Sequence, residues 1–376
     1  MALVLNEEQK MLQKSAEDFA TGTVPVSHFR DLRDRNDELG FDRDVWQQMC
    51  DMGWSGITID EKYDGLAFGW QGLGLVIESL GKQLTPSPLL ATVALGADLV
   101  QMLGTEEQKQ SILPKVVTGE MLLALALDEG YHHNPDKIEC VAEKSGDGWE
   151  LHGRKVMVTD GHAADKIIVA ARTKDTTDGV SLFLVDKGNA NLQVSASRLA
   201  DSKPVAQLAL EGVKVEQGQL LGTLNEGKEA LHKVLDRGRV ALAAEMLGMA
   251  TQAFKMTVEW LKEREQFGVP IGSFQALQHR ASHMFSELEI GRAVVYEALS
   301  AIESNDESLP KLASLAKAKL GDILFLVSNE AVQMHGGIGV TDEHDIGFYL
   351  KRARVAEATL GDRRYHRTRF ADLSAY

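Results

Sequence analysis

The period of hydrophobic and polar positions changes twice along the chain. From Asn6 onward Leu12, Ala16 and Phe19 recur on one face at helical spacing, and Asn6 with Gln9 predicts a capping box that opens the helix. DRDVWQQMCDMGW predicts a second amphipathic helix, ended by Gly53, and GWQGLGLVIESLGKQL a third. Thr105 with Gln108 predicts the cap of EEQKQSILPKVV. Residues 1–119 are therefore expected to be helical. The runs then shorten: LLALALDE, DKIECVAEKS, GWELHGRKVMVTDG, DKIIVAARTK and GVSLFLVDKG are rich in Val and Ile and bounded by Gly, Asp and Asn, which reads as strands. Trp149 and Leu151 alternate with Glu150 and His152, as in a half-buried antiparallel sheet. A β-domain over 120–225 follows. Over 226–376 the helical period returns in three long segments, ALHKVLDRGRVALAAEMLGMATQAFKMTVEWLKERE, SFQALQHRASHMFSELEIGRAVVYEALSAIE and LPKLASLAKAKLGDILFLVSNEAVQMHGG. The fold class expected is α+β, in the order helices, sheet, helices.

At 376 residues the chain can bury a large core. Its net charge of −15 works against nucleic-acid or anionic-lipid partners, which reward a concentrated positive field. Apolar runs are interrupted before they could cross a bilayer. MALVLNEEQK lacks a leader's apolar stretch, so a cytoplasmic location is expected. Cys50 and Cys140 share no metal-like spacing and read as free buried thiols. The same holds for His132, His133, His335 and His344, which do not form a metal set and read as solvent or turn positions.

REQFGVPIGSFQALQH and QMHGGIGVTDEHDIGFYLKRARV resemble the acyl-CoA dehydrogenase family, and GTEEQKQSILPKVVTGE and GRKVMVTDGHAAD match in the same order. The resemblance spans most of the chain. It implies an N-terminal helical domain, a middle β-domain and a C-terminal four-helix bundle that hold FAD. It also implies a homotetramer, an acyl-CoA substrate oxidised to a 2-enoyl-CoA, and an electron-transfer flavoprotein as electron acceptor.

Residue by residue, Arg264, Gln266 and Phe267 match the stretch that meets the diphosphate and adenine side of FAD. A guanidinium can clamp phosphate bidentately, and Gly268 permits close backbone approach. Gln333, Gly336 and Gly337 match the second cofactor signature, in which tight turns expose amides. Asp128 stands where the family carries a threonine near the flavin, and no counterpart of the glycine-serine loop follows it. Met157 replaces a tryptophan on the next contact strand, while Thr159 matches the family's threonine.

The expected base is missing. Counting from Gly336 puts Leu360 at the family's catalytic glutamate, ahead of Gly361 and Asp362, and leucine cannot take a proton. Members with the glutamate on the first bundle helix carry it just before an arginine, where Gly238 precedes Arg239 here. Arg239 resembles that helix's arginine, near the active site or an adjoining subunit. Glu245, two turns beyond Gly238, has apolar sequence neighbours that would raise a carboxylate pKa; it reads as a relocated base or as a structural glutamate paired across a helix interface. Three functions follow: a dehydrogenase with Glu245 as base, a half-site subunit of an unequal heterotetramer with a related chain, or an acyl-CoA-binding flavoprotein of different chemistry.

Overall fold

A computed structural model describes residues 5–174, 176 and 179–376. The first four residues of MALVLNEEQK, on which the expected lack of a leader partly rests, lie outside these. The helices are α1 Glu7–Gly22, α2 Val26–Asp34, α3 Arg43–Asp51, α4 Trp70–Lys82, α5 Asp98–Leu103, α6 Glu106–Val117, α7 Lys228–Glu263, α8 Gln275–Glu303, α9 Leu309–His335, α10 Ile346–Ala358 and α11 Arg363–Leu373. The strands are β1 Leu123–Ala126, β2 Val141–Ser145, β3 Gly148–Thr159, β4 Lys166–Thr173, β5 Ser181–Asp186, β6 Leu192–Arg198, β7 Pro204–Val215 and β8 Leu220–Leu221, with a small hairpin of β9 Glu265–Gln266 and β10 Val269–Pro270. The α+β class and the order of helices, sheet and helices are as expected. Both predicted capping boxes form, Asn6 with Gln9 and Thr105 with Gln108.

The chain divides into two compact units, each drawn from separated segments. One comprises Met1–Asp31, Trp70–Thr85 and Arg239–Tyr376. Its core is α7 from Val240 to Ala253, where Val240, Leu242, Met246, Leu247 and Met249 are fully buried. A helix that is apolar on every side belongs inside a bundle. Close approach to α4 comes from two glycines: a Cβ on Gly248 would sit 2.0 Å from the Glu78 carbonyl oxygen, and one on Gly81 would sit 2.6 Å from that of Glu245. Any side chain at either site would push the helices apart.

The other unit comprises Leu32–Gly69 and Pro86–Gly238 and holds the sheet, in the order β6-β7-β3-β2-β4-β5-β8, with β1 pairing β4. Most pairings are antiparallel as expected, but β4 runs parallel to both β1 and β2. The register of β3 against β7 shifts between Lys155 and Val158. That bulge places Met157 at φ +54 and re-aims the end of the strand. Leu89–Ala97 forms a π-helical segment beside β1, tied to it by reciprocal 3.1 Å hydrogen bonds between the Thr92 hydroxyl and the Leu123 backbone. Cys50 and Cys140 are free and buried, and burial pushes each thiol up to about 11. Among the described residues no helix is long and apolar enough to cross a membrane.

Candidate functional site

The position of the missing base is a built turn. After α10, Thr359 ends the helix, and Leu360 and Gly361 take φ of +57 and +102. Asp362 then caps α11, accepting from the Tyr365 backbone at 2.7 Å. Left-handed leucine is strained and persists only where its surroundings over-determine it. Here they do: Arg239 Nε donates to the Leu360 carbonyl at 3.2 Å, and His366 Nε2 donates to the same oxygen at 3.0 Å. Arg239 is fully buried; its Nη2 donates to the Tyr365 hydroxyl at 3.3 Å, and its guanidinium lies over that ring. The structure thus places Arg239 beneath the turn as its internal support.

Glu245 pairs with an arginine across a helix interface. Its Oε1 accepts from Arg352 Nε at 2.9 Å and from Nη2 at 2.7 Å, on α10. Protonating this oxygen would forfeit two charge-assisted hydrogen bonds, which works against a base role. Beside the pair, fully buried Lys317 donates to the carbonyls of Ala356 at 2.8 Å and Glu357 at 3.3 Å. Burial pushes its ammonium down to about 7, with Glu357 opposing the shift and Arg239 adding to it. The sequence carries no signal for the burial of Lys317, which sits between alanines and two residues before Lys319.

The cofactor signatures of the same unit are open. Phe267 and Gly268 form the two-residue tip between β9 and β10, at φ +56 and +80. Two positive φ values define a type I′ turn, which ordinarily carries Asn-Gly. A phenylalanine is held there in strain, with 91% of its surface exposed. Arg264 and Gln333 are exposed, and the Arg264 guanidinium lies over the Trp260 ring without an ion pair among the described residues. Gln266 donates to its neighbour's carbonyl at 2.8 Å. Gly336 has φ +67 and ψ −139, a region essentially restricted to glycine, and a Cβ on Gly336, Gly337 or Gly268 would meet nothing within 4 Å. The turns leave room for a ligand.

In the sheet unit, the Asp128 carboxylate is engaged by His133, whose Nδ1 lies 3.0 Å from each of its oxygens, and by the Asn134 amide at 3.3 Å. His133 is therefore no solvent position: its side chain is 4% exposed. His335 is likewise buried, at 4%. Glu129 accepts from the buried Lys155 at 2.7 Å and from the Cys140 amide at 2.9 Å, which locks the segment after β1 to β3. Met157 and Thr159 are half-buried at the end of β3. Among the described residues no group of three or more His, Cys, Asp or Glu could hold a metal ion.

The fold is that of a flavin-dependent oxidoreductase. Domain families described as "Acyl-CoA dehydrogenase", N-terminal, middle and C-terminal domain, match residues 6–120, 128–216 and 225–373. The chain belongs to the acyl-CoA dehydrogenase family, whose cofactor is FAD. It is 30% identical to a 3-(aryl)acrylate reductase of Clostridium sporogenes, with 94% of each chain covered. Among solved structures it is similar to a variant of the Tcur3481-Tcur3483 steroid ACAD, with TM-score 0.89, 32% identity and 98% of each chain covered. The ChsE4-ChsE5 complex of Mycobacterium tuberculosis gives TM-score 0.90 at 27% identity, covering 100% of this chain and 99% of that one.

The residues fit FAD unequally. Where the resemblance puts the adenosine diphosphate end, a cation without an ion pair among the described residues, an exposed aromatic ring and open glycine amides suit a nucleotide. At the isoalloxazine end the donor set is weaker. Asp128 offers only acceptor oxygens, already engaged by His133, where the family resemblance calls for a hydroxyl that can donate.

Proposed function

We propose that the chain is one half of an unequal FAD-dependent acyl-CoA dehydrogenase, acting with a related chain to oxidise an acyl-CoA thioester to a 2-enoyl-CoA. The observation that carries this reading is the turn at Leu360: its carbonyl is clamped by Arg239 and His366, and its side chain has no acid to offer. Glu245, the carboxylate two turns beyond Gly238, is occupied by Arg352. Removing the proton α to a thioester needs a positioned base. In this reading the related chain contributes it, along with the fuller isoalloxazine contacts.

When bound, FAD supplies the hydride acceptor. This chain's part is to hold the adenosine diphosphate end through Arg264, Phe267, Gln333, Gly336 and Gly337. The reading is supported by the similarity to a solved structure named as a complex of two chains and to one named as a steroid ACAD. The latter makes acyl-CoA thioesters of steroid side chains the first substrates to try, with an electron-transfer flavoprotein as the electron acceptor.

Co-expression with a second dehydrogenase-like chain, followed by native mass and flavin content, tests the reading. An unequal tetramer with one FAD per pair, in which substrate bleaches the flavin only when both chains are present, is expected. A homotetramer of this chain alone with four FAD and full flavin reduction by substrate would overturn it.

A further inference from the structure

The two cofactor signatures lie far apart in sequence, yet they meet on one indole. Arg264 follows Trp260 by one helical turn, its amide donating to the Trp260 carbonyl at 2.9 Å, which puts both side chains on the same face of the end of α7. The Arg264 guanidinium lies over the Trp260 ring at 5.9 Å, within cation–π range. The Trp260 ring is also stacked on His335, 5.3 Å between centroids and 21° between planes. His335 is the last residue of α9, immediately before Gly336.

The far end of the glycine segment returns to the same place. His344 lies 4.5 Å from His335 and stands edge-on to Trp260 at 6.2 Å and 74°. The segment from Gly336 to Glu343 thus starts and finishes beside this ring. It is also held from α2, where Arg30 donates to the Asp342 carbonyl at 2.7 Å and to Asp345 at 2.6 Å.

His335 carries a further signal. Its Nδ1 lies 2.7 Å from the Ala331 carbonyl, which can only accept, so Nδ1 bears the proton. Nε2 is then an acceptor, buried and without a hydrogen-bond partner among the described residues. Unpaired buried acceptors are uncommon and call for an explanation.

We propose that Trp260 is a positioning residue for the adenosine diphosphate end of FAD. It holds both the Arg264 guanidinium and the His335–Gly336 junction against one ring, so that cation and turn amides face one diphosphate at a fixed separation. This rests on the proposed assignment of that end of FAD to this chain. The structural consequence is that the indole's aromatic contacts, not its bulk alone, set cofactor affinity. Phenylalanine keeps an aromatic ring for both contacts; leucine keeps apolar volume and loses both.

The test uses the assembled protein stripped of flavin, with ADP as the probe, titrated into wild type, Trp260→Leu, Trp260→Phe, Arg264→Gln and the Trp260→Leu/Arg264→Gln double variant. FAD retention and melting temperature are followed in parallel. Trp260→Leu is expected to weaken ADP binding about tenfold or more, and Trp260→Phe to keep it within about threefold. In the Arg264→Gln background Trp260→Leu should cost less than in wild type, leaving only the share carried by the His335–Gly336 junction. Wild-type ADP affinity in Trp260→Leu, or a full additional loss in the double variant, would overturn the role given to Trp260 while leaving the diphosphate assignment standing. A wild-type assembly that binds FAD but whose ADP affinity is indifferent to Arg264→Gln would overturn both.

Discussion

Arg239 and Arg264 stand on and just after the same helix, each beside an aromatic ring, and they are used in opposite ways. Arg239 is fully buried, with its donors turned onto the Leu360 carbonyl and the Tyr365 hydroxyl. Arg264 is exposed, with an indole face for company and no ion pair among the described residues. A cation whose donors are consumed inside the fold is part of the scaffold. One held in place with its donors free is prepared for an anion. The same distinction separates Glu245, closed on Arg352, from the strained and exposed Phe267.

Exchanging the two arginines' circumstances should therefore give opposite phenotypes. Arg239→Met should lower unfolding free energy by roughly 2–4 kcal/mol, since it strips a buried carbonyl and hydroxyl of a charged donor. Urea unfolding measures this, and FAD affinity of the folded fraction should stay within about threefold. Arg264→Gln should leave unfolding within about 0.5 kcal/mol, as surface changes do. Its FAD affinity should drop by roughly ten- to a hundredfold through loss of a charge-assisted phosphate contact, read by fluorescence titration. If both variants lost stability and kept affinity, the contrast would collapse.

Gly336→Ala sharpens the comparison at the open end. Space is available for the methyl group, but φ +67 with ψ −139 is not, so a cost of roughly 1–3 kcal/mol is expected. It should appear partly as weaker FAD binding, because the turn can relax when the cofactor is absent. Lys317 probes the closed end through pH. Its folded-state value of about 7 lies below the ordinary 10.5, so between these limits the unfolded chain binds more protons and stability rises with pH. Below about 7 the whole burial penalty is present. Lys317→Met removes this dependence, so its stability advantage over wild type, measured at pH 6.5, should shrink by pH 9.

Much of the fold was legible because its signals are local. Asn6 with Gln9 and Thr105 with Gln108 lie three residues apart, and both caps form. The long helices announce themselves by length and composition, as α7 does over its 36 residues. β6 gave no apolar alternation to find, since most of its residues are exposed along one side of β7. The π-helical segment Leu89–Ala97 is almost wholly apolar and so has no period to read. At the site, residue types could be placed but not their partners. Arg352 is 107 positions from Glu245, and only the packing of α10 brings it there. Asp128 and His133 are five apart in a loop, where spacing implies no contact. The strain at Phe267 needed the hairpin register before its φ could have meaning.

The smallest effect expected is also the most direct test of the closed network. Glu245→Gln, introduced into the assembly that reduces flavin with acyl-CoA, preserves the side chain's shape and one acceptor for Arg352. Anaerobic stopped-flow measurement of flavin reduction should give a rate within about threefold of wild type, with a modest loss of stability from the weakened ion pair. A fall of about a hundredfold or more, with FAD and substrate still bound, would identify Glu245 as the general base and contradict its role as a scaffold partner of Arg352.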